Sequence, residues 1–259
     1  MIPVALTIAG SDPSGGAGIQ ADIKTFHQLG VYAMTVVTLV TVQNTRGIKA
    51  VELLSAELVG AQLDAVLEDI LPLAAKTGAL GDETIISAVA RRAAGFSFPL
   101  VVDPIMMSKH GLPLLTERAR AALAKELLPC AALVTPNLLE AGVLAGMSVS
   151  NLDAMEEAAC RIAALGAAAV LIKGGHLAGD ATDVLYWKDG IRRFSSRRVE
   201  TVHTHGTGCT YSAAITAGLA QGLALPQAIE RAKKFITLAI QSHPGLGHGS
   251  GPVNHHVVI

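Results

Sequence analysis

His203-Thr204-His205-Gly206-Thr207-Gly208-Cys209-Thr210-Tyr211-Ser212-Ala213-Ala214 changes character halfway along. Up to Gly208 it is small and polar. Beyond that an apolar, Ala-rich pattern runs to about Leu223 with the spacing of a buried helix. A helix starting near Gly208 leaves its first N–H groups unpaired, aimed back over the Gly-Thr-Gly turn with the positive end of the helix dipole. Glycine lets a ligand approach such a backbone closely, so the turn suits an anion such as a phosphoryl group in transfer. An ordinary Gly-rich loop ahead of a core helix has the same local pattern. Where the other polar motifs fall decides between the two.

Working outward, short apolar runs alternate with helical patterns. Residues 4–9 read as a strand, and Gly10 to Gly18 follow as a glycine-rich loop. A helix comes next, with Ile19, Ile23, Phe26 and Leu29 on one face and Gly30 as its stop. Residues 34–42 are rich in β-branched types and end at Gln43-Asn44-Thr45-Arg46-Gly47. Ser55 then caps a helix whose stripe is Val59, Leu63, Val66, Leu67 and Ile70. Further strands are expected at 73–76, 100–102, 132–135 and 169–172, with helices at 82–94, 116–128 and 151–165. Lys188-Asp189-Gly190 marks a hairpin between 183–187 and 191–194. Helices at 209–221 and 226–242 complete the body, and the Gly/His-rich tail reads as a loosely held terminus.

Strands alternating with helices imply a mostly parallel sheet covered on both faces. Ligands bind such sheets at the carboxyl ends of the strands. Gly10 to Gly18, Gln43, residues 76–78, Asp103, Asn137 and residues 173–176 each follow a predicted strand directly, which places them on one rim. The whole of 1–259 is expected to form one domain, a usual size for α/β folds.

Composition narrows the partners. Hydrophobic residues make up 51%, charged residues 16%, and the net charge is −1, so no basic surplus draws the chain to nucleic acid or a membrane surface. Aromatics at 3% are too few for a base-stacking platform. Cys130, Cys160 and Cys209 are odd in number and far apart, with no metal-ligand spacing and no disulfide framework. The first residues lack a basic signal-peptide start, and no apolar run reaches the roughly 18–20 residues of a membrane span. A cytoplasmic protein is expected.

The motifs divide by chemistry. Gly16-Ala17-Gly18-Ile19-Gln20-Ala21 formally fits a dinucleotide fingerprint, yet no Asp or Glu lies between Lys24 and Glu52 to hold a ribose, and neither Gly-rich stretch carries G-K-[ST]. Asp22 on the first helix is either solvated or turned to the rim to accept from a ligand. Gln43 either faces water or offers a donor and an acceptor to the edge of a heteroaromatic ring. Asp103 and Glu140 are hard oxygen donors that suit Mg²⁺ shared with phosphates. Lys173, between a strand and Gly174-Gly175, either is solvated as surface lysines usually are or reaches a nucleotide phosphate. Cys209, at a helix start beside glycine amides, is expected to have a depressed pKa.

Taken together, the stretches 5–22, 43–47, 102–104, 135–141, 172–176 and 205–210 resemble the hydroxymethylpyrimidine kinase / phosphomethylpyrimidine kinase family of the ribokinase-like superfamily, in that family's order and over almost the whole chain. The resemblance implies a three-layer α/β/α sandwich with a mostly parallel central sheet. It also implies two ATP-dependent phosphorylations, first of 4-amino-5-hydroxymethyl-2-methylpyrimidine and then of its monophosphate, in thiamine diphosphate biosynthesis. By motif match Gly10, Asp22, Gln43 and Ala79 bind the pyrimidine, while Asn137, Lys173, Thr207 and Gly208 bind nucleotide and phosphate. Asp103 and Glu140 hold Mg²⁺. Gly206, Gly208, Cys209 and Lys173 serve the transfer, with Cys209 where most of the superfamily carries an Asp base. A homodimer is expected. Two positions depart from the pattern: Ala79 stands where Met is common, and His110-Gly111-Leu112 replaces Ser-Gly-Asp. The alternative is a pyridoxal kinase of the same superfamily.

Overall fold

The computed structural model describes residues 2–107, 114–175, 177 and 179–259. His110-Gly111-Leu112 and His176 lie outside the described residues. Nine strands form one sheet in the order β3-β2-β1-β4-β5-β6-β7-β8-β9. They are β1 (Val4–Ser11), β2 (Tyr32–Asn44), β3 (Gly47–Leu53), β4 (Ala74–Thr77), β5 (Leu100–Val102), β6 (Leu133–Val134), β7 (Val170–Ile172), β8 (Ala181–Trp187) and β9 (Gly190–Ser196). From β2 through β7 the pairings are parallel; β3, β8 and β9 join antiparallel at the two edges.

Alternation along the strands divides the core between two faces. Leu6, Ile8, Val102, Val170 and Ile172 pack under α2 (Ala56–Asp69), α3 (Glu83–Ala93), α4 (Glu117–Ala122), α5 (Leu138–Ala145) and α6 (Leu152–Ala163). Ala5, Val101, Leu133 and Leu171 pack under α1 (Gly18–Gln28), α7 (Thr207–Ala220) and α8 (Leu225–Gln241). This is the expected three-layer α/β/α sandwich. The α7 helix is buried nearly all round, from Cys209 to Gly218, and its small residues let α8 come close. Ser55 caps α2 as expected, and Asp82, Thr116 and Asn151, each at the start of an expected helix, likewise accept from backbone amides there.

Three elements depart from expectation. Gly47–Leu53 is a strand, β3, where only a turn was read; it is a half-exposed edge strand without a clean apolar alternation. Leu138–Ala145 is a helix, α5, opened by a capping box in which Asn137 and Glu140 each accept from the other's amide. The tail is not loose. His205 donates its amide to the Gly251 carbonyl, Val253 returns the bond to His205, and Asn254 donates to Ala239, while Val253 and His255 are buried.

Candidate active site

The α7 N-terminus comes to the carboxyl ends of the parallel strands. Gly206 has φ +78°, and a β-carbon there would stand 1.7 Å from the Gly16 carbonyl oxygen, so only glycine lets the two loops touch. A β-carbon on Gly208 would lie 3.4 Å from Lys173 Nζ and 3.6 Å from Asp103 Oδ2. The amides of Gly208 and Cys209 have no protein acceptor among the described residues. Thr207 differs: its amide and its hydroxyl both donate to the Thr204 carbonyl. Its side chain is therefore committed to its own loop, correcting its assignment as a phosphate donor.

Below those amides sits a chain of charges. Lys173 Nζ donates to Asp103 Oδ1 at 2.8 Å, and Thr135 donates to the same oxygen at 3.2 Å. Ser212, on the first turns of α7, donates to Asp103 Oδ2 at 3.3 Å. Burial pulls the Lys173 ammonium down, but the Asp103 and Glu140 carboxylates outweigh it and hold its pKa above the ordinary value. Glu140 is pushed up to about 7 by burial, with Asp103 acting in the same direction and Lys173 opposing. One Glu140 oxygen accepts from the Asn137 amide at 2.8 Å, and the Asn137 side-chain oxygen caps α5. Asn137 and Lys173 are bridged in parallel fashion, which brings both to the same end of the sheet.

Two expectations are corrected here. Asp22 is fully buried; Lys76 donates to both its oxygens at 2.9 Å and Thr7 donates to Oδ2 at 2.6 Å. A desolvated carboxylate needs such partners, and with them satisfied Asp22 offers no surface to a pyrimidine. Cys209 does not have a depressed pKa. Burial pushes its thiol up to about 11, and although Lys76 and the Gly18 amide favour the thiolate, they do not overcome it.

The acceptor side of the rim is built from β1, β2 and β4. Gly10 is crowded by Leu39 and by Gly18, whose β-carbon position is 2.3 Å from the Gly10 carbonyl, so the first glycine loop folds tightly back on its strand. Thr41 donates to the Ser11 carbonyl at 2.9 Å, and Gln43, two residues on, is half-buried past the end of β1. The Ala79 carbonyl accepts from Thr38 at 2.6 Å just beyond β4. Gln43 thus lies at the carboxyl end of β2, the end of the parallel sheet at which the α7 amides also sit.

Several groups shape the site in ways the sequence alone does not give a role. Asp12 gathers the glycine loop by accepting from Ser14, Gly16 and Ala17. Its signal was an Asp ahead of a Pro-Ser-Gly-Gly turn. Lys76 is fully buried, and the neighbouring Asp22 carboxylate outweighs burial to keep its ammonium charged. Asp183 accepts from the Gly174 amide at 3.0 Å, from Tyr211 at 2.9 Å and from Lys233 at 2.7 Å. That network spans β8, α7 and α8, and no local pattern announces it.

Among the described residues no three His, Cys, Asp or Glu side chains cluster to cage a metal. No described helix is long and apolar enough to cross a membrane.

Comparison with known proteins agrees with this arrangement. The family model described as phosphomethylpyrimidine kinase matches residues 12–254. A hydroxymethylpyrimidine/phosphomethylpyrimidine kinase of Rhizobium meliloti (strain 1021) is 49% identical over 98% of this chain and 97% of the relative. One from Bacillus subtilis (strain 168) is 45% identical over 97% of this chain and 94% of the relative. Among solved structures, the phosphomethylpyrimidine kinase of Clostridium difficile 630 superposes with a TM-score of 0.82 at 43% identity, covering 92% of this chain and 99% of that one. An ADP complex of Bacillus subtilis pyridoxal kinase superposes with a TM-score of 0.91 at 40% identity, covering 98% of both chains. By sequence and by fold, the chain belongs to the phosphomethylpyrimidine kinase family.

Proposed function

We propose that residues 1–259 form one kinase domain that transfers the γ-phosphoryl group of ATP to the hydroxymethyl oxygen of 4-amino-5-hydroxymethyl-2-methylpyrimidine, and then to the phosphate of that product. The observation that carries this reading is the pair of free amides at Gly208 and Cys209, set beside the Lys173–Asp103 pair on the acceptor's rim. Phosphoryl transfer has a loose transition state, so catalysis is mostly alignment and charge stabilisation. The amides receive the transferring group, with Gly206 shaping their turn. Lys173 holds the nucleotide phosphates, and Gln43 fixes the ring with the Gly10 backbone and Ala79 beneath it. An open groove of about 390 Å³ between β9 and α8, lined by Arg192, Arg193, Phe194, Glu230, Lys233 and Thr237, lies beside this end of the site. Lys233 reaches Gly174 from there through Asp183.

Asp103 and Glu140 fit Mg²⁺ of the kind that arrives with phosphates, since such ions need only one or two protein carboxylates. The bound ion would supply neutralisation of phosphate charge; Asn137 positions Glu140 toward it. A homodimer through the exposed apolar face of the β2–β3 hairpin accompanies this reading, with a cytoplasmic location. The pyridoxal kinases are close in fold, but the relatives of highest identity given above are named for the pyrimidine reaction.

The two steps differ in their need for a base. An alcohol must lose its proton, whereas a phosphate acceptor is already ionised. With the Cys209 thiol near 11, thiolate is about one part in ten thousand at pH 7, so a base role makes the alcohol step rise about tenfold per pH unit. Mono- and diphosphate are to be followed separately between pH 6 and 9, with the pyrimidine alcohol, its monophosphate and pyridoxal as acceptors. The alcohol step is expected to climb while the phosphate step stays level, and Cys209→Ala to remove most of the first and little of the second. Equal losses in both would reject the base role; turnover of pyridoxal alone would replace the pyrimidine assignment.

A further inference from the structure

Asp12 and His205 lie 193 positions apart and meet at 2.8 Å, both buried. Asp12 is more than half of a simple pair. Its Oδ1 accepts from the Ser14 amide at 2.8 Å and the Ser14 hydroxyl at 2.7 Å. Its Oδ2 accepts from Gly16 at 3.1 Å and Ala17 at 2.8 Å, and then from His205. The carboxylate thus gathers the whole turn between β1 and α1. An ionised carboxylate only accepts, so it fixes the proton of His205 on Nε2. Burial works against the charge, but the His205 and Ser14 hydrogen bonds hold Asp12 well below the usual carboxylate range.

His205 immediately precedes the phosphoryl seat. Its ring lies over Gly16, where a β-carbon would come within 2.5 Å of Cδ2. Its backbone amide donates to Gly251 and its carbonyl accepts from Val253, so the tail holds it from the other side. At the next residue, Gly206 rests on the Gly16 carbonyl. Acceptor loop and phosphoryl seat therefore meet where Gly206 and the His205 ring rest on Gly16 and at the Asp12–His205 hydrogen bond, and of these the hydrogen bond is directional and charge-assisted.

We infer that His205 and Asp12 are positioning residues that set the distance between the acceptor loop at residues 10–18 and the phosphoryl seat at residues 206–209. Neither group meets the reacting atoms. The pair fixes the in-line approach of the acceptor oxygen, where an error of about 1 Å costs on the order of 100-fold in rate. The nucleotide side, built on Lys173 and Asp183, does not depend on it. This inference rests on the kinase reading above, and wild-type turnover of the pyrimidine alcohol is the check that separates the failure of one from the failure of the other.

The test compares His205→Phe, which fills the space without an N–H, with His205→Gln, whose amide can donate in its place. Asp12→Asn and the double variant Asp12→Asn/His205→Phe complete the set. His205→Phe is expected to lower kcat about 10- to 100-fold on both acceptors and to raise KM for the acceptor, with ATP binding by titration within twofold of wild type. His205→Gln is expected to recover at least half of the lost rate. The double variant is expected to be no slower than the slower single, because both remove one bond. Loss of ATP affinity in step with kcat overturns the inference, as does a rate deficit in His205→Phe that follows its Tm and is not relieved by Gln. Multiplicative losses in the double variant overturn it too. Should Asp12→Asn fail to fold, the Phe/Gln comparison at His205 decides alone.

Discussion

Glu140 has two demands placed on it that oppose each other. As the third helical residue of α5 it closes a capping box with Asn137, a task Gln performs as well. As a buried carboxylate beside Asp103 it is held with a pKa near 7, chiefly by burial. Its folded pKa is raised above the ordinary value near 4.5. Its contribution to stability is therefore fully present below about pH 4.5 and is lost as pH rises through 7. At pH 8 the chain carries a charge it would shed if it could, as expected for a donor kept for a cation that comes with substrate. Glu140→Gln keeps the cap and removes the charge. It is expected to raise Tm at pH 8 by a few degrees, to leave Tm unchanged near pH 5, and to lower kcat by tenfold or more. Scanning calorimetry at the two pH values beside a turnover assay checks this, and a lower Tm at pH 8 would show that the charge stabilises the fold. The sequence shows Glu140 as an oxygen donor after a strand, but neither its cap nor its burial is legible there, because no helical period marks the short α5.

At the scale of elements, patterns that repeat were legible and those that depend on a neighbour were not. The strands β1, β5 and β7 and the helices α1, α2, α6 and α8 carry their period in their own residues. The β3 strand carries none, since it is held by pairing with β2 on one side and faces solvent for much of its length. The tail shows this most plainly: Gly and His residues suggest looseness, yet it is bound by bonds to His205, Ala239 and Gln28. His255 anchors it through Thr210 at 3.0 Å, and burial pulls its pKa down to about 4. A depressed histidine pKa makes this anchor's stability present above about 6.5 and lost as pH falls toward 4, because the unfolded chain binds the proton and the folded one resists it. The tail is expected to loosen first on acidification. Protection of the Val253 and Asn254 amides, measured relative to the intrinsic exchange rate at each pH, should fall between pH 6.5 and 4.5 ahead of that of the β1 amides. His255→Gln, which keeps a partner for Thr210, should flatten that dependence. Protection in the tail and in β1 falling together would mean that the tail has no separate equilibrium.

For the molecule as a whole, the rim was readable before any coordinate, because every polar motif followed an apolar run and parallel strands end on one side. Which rim residues face ligand was less readable, since orientation depends on partners: Asp22 is sealed by Lys76, and Thr207 is turned to Thr204. The same sheet leaves one apolar surface uncovered. Val40 and Val42 of β2 are 45% and 56% exposed on one face, beside Glu52 and Ala50 of β3, on a hairpin that projects past the end of β1. An edge hairpin with bare β-branched residues is costly in water unless something covers it. A second copy of the hairpin is a partner of matching shape, and Gln43 lies on this element, so pairing would also brace the acceptor site. Val40→Glu combined with Val42→Glu places two carboxylates from each copy against the other. Light scattering across a hundredfold range of concentration is expected to give twice the chain mass for wild type and the single mass for the variant. KM for the pyrimidine should rise several-fold and KM for ATP hold. If the wild type has the mass of one chain throughout that range, the hairpin supports Gln43 without a partner and the dimer is withdrawn.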